Sequence, residues 1–173
     1  MNLDAIGREL TTNDSGLQEK LGAILGEDVY RNGVFDRAKA RDVLFADANK
    51  RREVEAVLHP RIHEEFEKRA AAAKAAGEKL VICEAALLME AGTDKRLDGL
   101  ILVQAPETLR TTRVVERDQI GAVLAQQMIR AQLKDADRKK TRQTIVLENG
   151  GSLADLSLKV TEIVNEWKSS GWL

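Results

Sequence analysis

Residues 144–155 read Thr144-Ile145-Val146-Leu147-Glu148-Asn149-Gly150-Gly151-Ser152-Leu153-Ala154-Asp155. Thr144 to Leu147 is a short apolar run that does not alternate with polar residues. It predicts a strand covered on both faces, as in a parallel sheet. Asn149-Gly150-Gly151 carries turn chemistry. Ser152 and Asp155 then form a capping box in its acidic variant, opening a helix with Leu156, Val160, Ile163, Val164 and Trp167 on its apolar side. Strand, turn and capped helix in that order define an α/β chain.

Working outward, Leu100 to Val103 and Leu80 to Cys83 are two further continuous apolar runs, also read as strands. Pro106 sits where the helix after Leu100–Val103 should begin. Upstream the patterns are helical. Thr12-Asn13-Asp14-Ser15 supplies N-cap chemistry for a helix bearing Leu17, Leu21, Ile24 and Leu25. Asn32-Gly33 is a turn signal. Asp36 can cap a short helix with Ala40, Val43 and Leu44, and Asp47 the next one through Val54 and Leu58. Pro60 suits a first helical position, so a new long helix is expected there, passing Ile62 and Phe66 and ending at Gly77. Three strands are few for a doubly wound sheet. A strand–loop–helix–strand unit would add on the order of 30 residues. The pattern therefore predicts a chain without that N-terminal unit, with an exposed sheet edge that could pair with another chain.

The 173 residues fit a single domain of 1–173, and 43% apolar with 32% charged residues is a globular composition. A net charge of -1 gives no bulk attraction to nucleic acid or membrane, and aromatics at 3% leave little for base stacking. No apolar run reaches the ~20 residues that cross a bilayer. The start, with Asp4 and Glu9, lacks a secretory h-region, so a cytoplasmic location is the expectation. Cys83 is the single cysteine, expected to be a small buried hydrophobe rather than a catalytic thiol. His59 and His63 have no third partner for zinc, and no metal ligands are assigned.

Ordered pieces of the chain carry a resemblance. They are Asp4-Ala5-Ile6-Gly7-Arg8-Glu9-Leu10, Gly33-Val34-Phe35-Asp36-Arg37, Phe45-Ala46-Asp47 and Leu58-His59-Pro60-Arg61-Ile62. Then follow Ala86-Leu87-Leu88-Met89-Glu90, Arg113-Val114-Val115-Glu116-Arg117-Asp118 with Gln132, and Leu147-Glu148-Asn149-Gly150-Gly151-Ser152-Leu153. Together, from Leu3 to about Val164, they resemble the dephospho-CoA kinase family, P-loop kinases related to the nucleoside-monophosphate kinases. The resemblance implies a P-loop kinase-like parallel sheet with helices on both faces, a helical acceptor-binding region at about 12–76 and a lid at about 110–142. It implies transfer of the ATP γ-phosphoryl, with Mg²⁺, to the ribose 3′-hydroxyl of dephospho-CoA. Asp4 matches the family's general base, a role that needs a carboxylate within reach of the sugar hydroxyl. Arg8, His59, Arg61 and Glu84 correspond to acceptor-binding positions, Arg113 and Arg117 to lid ligands for phosphate, and Asn149 to a position near adenine.

The chain departs from that pattern. A P-loop needs G-x-x-x-x-G-K-[ST], whose backbone N–H groups and lysine hold the phosphates. Gly22 to Gly26 has no lysine after it, and Gly150-Gly151-Ser152 has neither spacing nor lysine. Ala86 replaces a usual proline and Met128 a usual lid arginine. Little or no kinase activity is thus expected of these residues alone. The alternative reading is a non-catalytic protein that binds a CoA-like ligand or a partner. The stripes Arg110/Arg113/Arg117 and Arg130/Lys134/Arg138 are basic helix faces, suited to phosphate contact or simply solvated.

Overall fold

A computed structural model describes residues 1–132 and 144–171. The chain divides into two compact units, Met1–Ala86 and Leu87–Leu173.

The first unit is mostly helical. Helix α1 (Leu3–Asn13) is followed without a loop by α2 (Ser15–Leu25), because Asp14 ends one and caps the other, its carboxylate accepting from the Leu17 N–H. A single 3₁₀ turn, Glu27–Val29, leads into a small antiparallel hairpin of β1 (Tyr30–Arg31) and β2 (Val34–Phe35). Its turn residues Asn32 and Gly33 both have positive φ, 52° and 76°, the conformation that a two-residue hairpin requires. Asp36 caps α3 (Arg37–Ala46) and Asp47 caps α4 (Ala48–Ala75). The core is Leu17, Leu21, Leu25, Val29, Ala40 and Val54, so α2 supplies the centre and α3 and α4 close it.

Pro60 does not open a new helix. It lies inside α4, a single helix of 28 residues. A proline there removes one backbone hydrogen bond and crowds the preceding turn, at a cost of about 3 kcal/mol. Packing on both sides of the break offsets that cost: Val54 enters the core, while Phe66 is buried a turn and a half beyond Pro60. Gly77, at φ 87°, follows the end of α4.

Leu80 to Cys83 is extended but is not a strand of a sheet. It runs beside Met1–Leu3 through bonds from Met1 N to Ile82 O, Glu84 N to Met1 O (2.8 Å) and Leu3 N to Glu84 O (2.9 Å). These make a single parallel bridge, Asn2 to Glu84. A ladder needs consecutive paired residues, and here the partner segment turns into α1 at Leu3, so the pairing stops at one bridge. Ile82 is accordingly 60% exposed. Cys83 is half-buried rather than fully buried, and burial pushes its thiol up, away from the thiolate.

The second unit holds the parallel pair. β3 (Leu100–Gln104) lies in register with β4 (Thr144–Glu148), Leu100 opposite Thr144 and Gln104 opposite Glu148. Pro106 stands at the head of α5 (Glu107–Asp118), which is followed by α6 (Ala122–Arg130). The Ser152–Asp155 capping box opens α7 (Leu153–Ser169). Of its expected apolar side, Ile163 is buried while Val160 is 43% exposed. The fold is α/β with a parallel sheet and helices. No helix among the described residues is long and apolar enough to cross a membrane.

Candidate functional site

In the first unit the site residues gather where α1 begins. Asn2 is the N-cap: its Oδ1 accepts from the Ala5 N–H at 2.7 Å. Its Nδ2 donates to Glu84 Oε2, also at 2.7 Å. One amide thus fixes the helix start and holds the Glu84 carboxylate beside it. Asp4 lies in the first turn of α1, exposed, at the helix end where a carboxylate is favoured by the partial positive charge of free N–H groups. Its side chain has no hydrogen bond or ion pair among the described residues. The same is true of Arg8, one turn on, whose backbone carbonyl accepts from the hydroxyls of Thr11 and Thr12 at 3.0 Å each.

The α4 residues are placed differently. His59 and His63 stand one turn apart on the continuous helix. No cluster of three His, Cys, Asp or Glu among the described residues could hold a metal. Arg61 reaches across to α2: its Nε and Nη2 both donate to Asp14 Oδ2, at 3.1 and 2.7 Å, and its Nη1 donates to Glu64. The guanidinium holds the Asp14 carboxyl below the usual carboxylate range, and Asp14 in turn raises Arg61. Two turns along, Arg69 bonds Glu9 of α1 and Glu65 of its own helix. Gly7 keeps this seam close, since a Cβ there would lie 3.2 Å from Ile62 Cδ1. Tyr30, which no sequence motif singles out, donates its hydroxyl to Thr11 O at 3.1 Å, and burial raises that hydroxyl to about 12.

The second unit brings Arg113 and Asn149 together. The Asn149 N–H continues the sheet ladder by donating to Gln104 O at 2.7 Å. Its carbonyl accepts from Arg113 Nη1 at 3.0 Å. Lys159 of α7 donates to the neighbouring Glu148 carbonyl at 2.7 Å. The strand-to-helix turn is therefore held by cations on its carbonyls. Its two glycines differ: a Cβ at Gly150 would make an ordinary contact with Pro106 Cδ at 3.6 Å, while one at Gly151 would crowd Asp155 Oδ2 at 2.7 Å. Arg117 instead makes a two-pronged bond to its neighbour Asp118, at 2.7 and 2.8 Å, and holds that carboxyl low. Lys134, Arg138, Lys139 and Lys140 lie outside the described residues.

The first unit thus holds a helix start whose carboxylate and guanidinium are uncommitted among the described residues, and the second a strand-end turn after a parallel pair of strands. The dephospho-CoA kinase family profile matches residues 1–155, and the chain belongs to the dephospho-CoA kinase family. It is similar to the dephospho-CoA kinase of Bacillus licheniformis, 29% identical over 98% of this chain and 84% of that one. The Moorella thermoacetica dephospho-CoA kinase is 33% identical over 88% of this chain and 73% of its own. Among solved structures, Thermus thermophilus TT1252 superposes with a TM-score of 0.77 at 31% identity, over 96% of this chain and 83% of that chain. The Campylobacter jejuni dephospho-CoA kinase, at 18% identity and TM-score 0.68 over 99% and 85% of the two chains, shares the fold. The family is one of ATP-using kinases, so dephospho-CoA and ATP are the substrates it implies.

Proposed function

We propose that this chain carries the acceptor side of a phosphoryl transfer from Mg·ATP to the ribose 3′-hydroxyl of dephospho-CoA, giving coenzyme A. Asp4 is the general base, orienting the hydroxyl and taking its proton. Arg8, His59, Arg61 and Glu84 bind the acceptor, together with the helical region of about 12–76. Arg61 supports that region through Asp14. Arg113 and Arg117 belong to a lid at about 110–142 that meets phosphate, and Asn149 lies near adenine. The enzyme works in the cytoplasm. The observation that carries this reading is Asp4 itself: exposed at a helix N-terminus, with Glu84 held at the same end by Asn2 and its own side chain unengaged among the described residues.

Phosphoryl transfer depends on positioning and on cancelling charge around the moving group. The acceptor side can be supplied by the residues above. The phosphate cradle needs a glycine-rich loop and a lysine, and no G-x-x-x-x-G-K-[ST] occurs in the 173 residues. We therefore expect residues 1–173 alone to bind dephospho-CoA yet to turn over ATP little or not at all. A coupled ADP-release assay with dephospho-CoA and Mg·ATP tests this, run on this chain and on a fusion placing a relative's strand–P-loop–helix unit ahead of Met1. Turnover only in the fusion, abolished by Asp4→Asn, supports the reading. Robust turnover by the 173 residues, or full activity of Asp4→Asn in the fusion, would overturn it.

A further inference from the structure

Two asparagines of this chain precede glycine, in Asn32-Gly33 and Asn149-Gly150. That step carries a chemistry of its own. Glycine has no Cβ to shield its backbone nitrogen, so the nitrogen can attack Cγ of the asparagine before it. The new N–Cγ bond closes a five-membered succinimide. The bond from Cγ to the side-chain nitrogen breaks, and ammonia leaves with the proton given up by the glycine N–H. Water then opens the ring. Addition at the side-chain carbonyl gives aspartate, and addition at the main-chain carbonyl gives isoaspartate, whose backbone runs through Cβ. The ring closes only after rotation about the asparagine Cα–C bond has brought the glycine nitrogen beside Cγ. Two identical dipeptides therefore differ in rate by whatever resists that rotation.

Asn149 is pinned on both sides of that bond. Its N–H donates to Gln104 O at 2.7 Å, and its carbonyl accepts from Arg113 Nη1 at 3.0 Å. Rotation would swing the carbonyl off the guanidinium, and losing a hydrogen bond to a charged group makes the open form rarer by roughly tenfold or more. Asn32 stands at the tip of the β1–β2 hairpin, where Arg31, Asn32, Gly33 and Val34 are all exposed. Among the described residues, neither the Asn32 side chain nor the Gly33 N–H makes a hydrogen bond. Arg31 Nε lies 3.8 Å from Asp36 Oδ2 with its guanidinium mostly in water, a contact that holds little. The pair below is anchored: the Tyr30 and Phe35 rings are 5.0 Å apart, and the Tyr30 hydroxyl bonds Thr11 O. The tip can therefore open by itself, at the low end of the local stabilities found in a fold. Asn32 also starts at φ 52°, a region that an L residue leaves readily. We propose that Asn32 is a site of spontaneous conversion to isoaspartate, and that Arg113 protects the same dipeptide at Asn149. A two-residue turn fixes hairpin register by its length. Isoaspartate adds one methylene to that main chain and a carboxylate at the tip, so the Arg31–Val34 pair is lost while Tyr30 and Phe35 stay joined.

The test is to age the full 173-residue chain at mildly alkaline pH and follow both peptides by mass spectrometry. Labelling with an isoaspartyl methyltransferase identifies the isoaspartate product. The expected result is that the Asn32 peptide converts about tenfold or more faster than the Asn149 peptide in the folded chain. In guanidinium chloride the two rates should converge, because the dipeptides are the same. Arg113→Met should speed Asn149 about tenfold and leave Asn32 unchanged, with Arg113→Lys in between. Asn32→Gly, which keeps a residue at ease with positive φ, should abolish labelling of the hairpin. Asn149 converting as fast as Asn32 in the folded chain would overturn the proposal. So would a folded chain in which neither converts while the unfolded chain does, since the tip would then be as firmly held as the clamp. A preference for Asn32 that survives unfolding would place the cause in the flanking sequence and overturn the structural argument. If Arg113→Met leaves Asn149 as slow as before, the protective role of Arg113 fails.

Discussion

The two units use their cations differently. In the helical unit, arginines pair with carboxylates: Arg61 with Asp14 at the head of α2, and Arg69 with Glu9 of α1 and with Glu65 of its own helix. In the sheet unit, Arg113 and Lys159 donate to backbone carbonyls at the end of β4. The first arrangement registers one helix against another, and its acceptors can be protonated. The second fixes the path of the backbone in a turn, and its acceptors do not titrate. A strand end aims its last carbonyls outward, where nothing in the ladder remains to satisfy them, so a nearby cation contributes both a bond and a fixed geometry. The lesson is that an arginine predicted for a ligand can be held by structure in two ways, with different signatures.

The largest expected effect comes from removing a carbonyl clamp. Arg113→Met leaves the Asn149 carbonyl without its charged donor, and a hydrogen bond to a charged group contributes about 1.5–3 kcal/mol; with the turn near the surface, we expect about 1–2 kcal/mol. The loss should be local. Hydrogen exchange should quicken for the amides of Asn149 to Asp155 and stay unchanged in α1 and α2. Arg113→Lys should recover part of the protection. If Arg113→Met leaves that turn's protection intact, the guanidinium is not its clamp, and the contrast with Arg61 fails.

Glycines offer a second contrast, of opposite sign in the two units. Gly151→Ala places a Cβ 2.7 Å from Asp155 Oδ2, the oxygen that bonds both the Ser152 N–H and its hydroxyl. Displacing it opens the capping box, a loss of about 1 kcal/mol. Gly22→Ala, in the middle of α2, meets nothing within 4 Å and should stabilise by roughly 0.5–1 kcal/mol, since glycine in a helix interior gives up more backbone freedom than alanine. Thermal denaturation of the two variants checks both signs. A stabilising Gly151→Ala would mean that Asp155 relaxes freely and the turn is looser than its packing implies.

How much of this is legible beforehand follows from which interactions are local. Caps are local, so Asp14, Asp36, Asp47 and the Ser152–Asp155 box can be read from a few residues each. The Asn32-Gly33 turn and the β4 strand are legible for the same reason. Pro60 misleads because a proline's local preference for a helix start loses to the burial of Val54 and Phe66 on either side of it, and the core residues that bury Val54, from Leu17 to Ala40, lie far from it in sequence. Leu80 to Cys83 misleads because strand propensity says nothing about whether partners are present. Arg61 reads as a ligand residue by its place in a motif, while its main partner, Asp14, is 47 residues away in sequence. The pairing of Arg113 with Asn149 is likewise hidden, although each residue stands out on its own.

The smallest effect tests the titratable side of the comparison. Asp14 has an ordinary value of 3.8 and is held below it, first by its bond to Arg61 and then by the Leu17 N–H. A carboxyl whose folded value is depressed stabilises the fold above its unfolded value, and that contribution is lost as pH falls through the folded value. The Arg61–Asp14 clamp should therefore be fully present above about pH 5 and fade as pH drops below 3.8. Asp14→Asn keeps a side-chain oxygen for the Leu17 N–H but cannot become an anion for Arg61. It should be slightly less stable than the wild type at neutral pH, with the difference shrinking in acid. Denaturation midpoints at pH 7 and pH 3 measure it. Arg113→Met, whose partner is a backbone carbonyl, should show no such convergence from its own clamp. If Asp14→Asn and the wild type differ by the same amount at both pH values, the α2–α4 clamp works through the cap alone, and the two units anchor their arginines by the same neutral bonds after all.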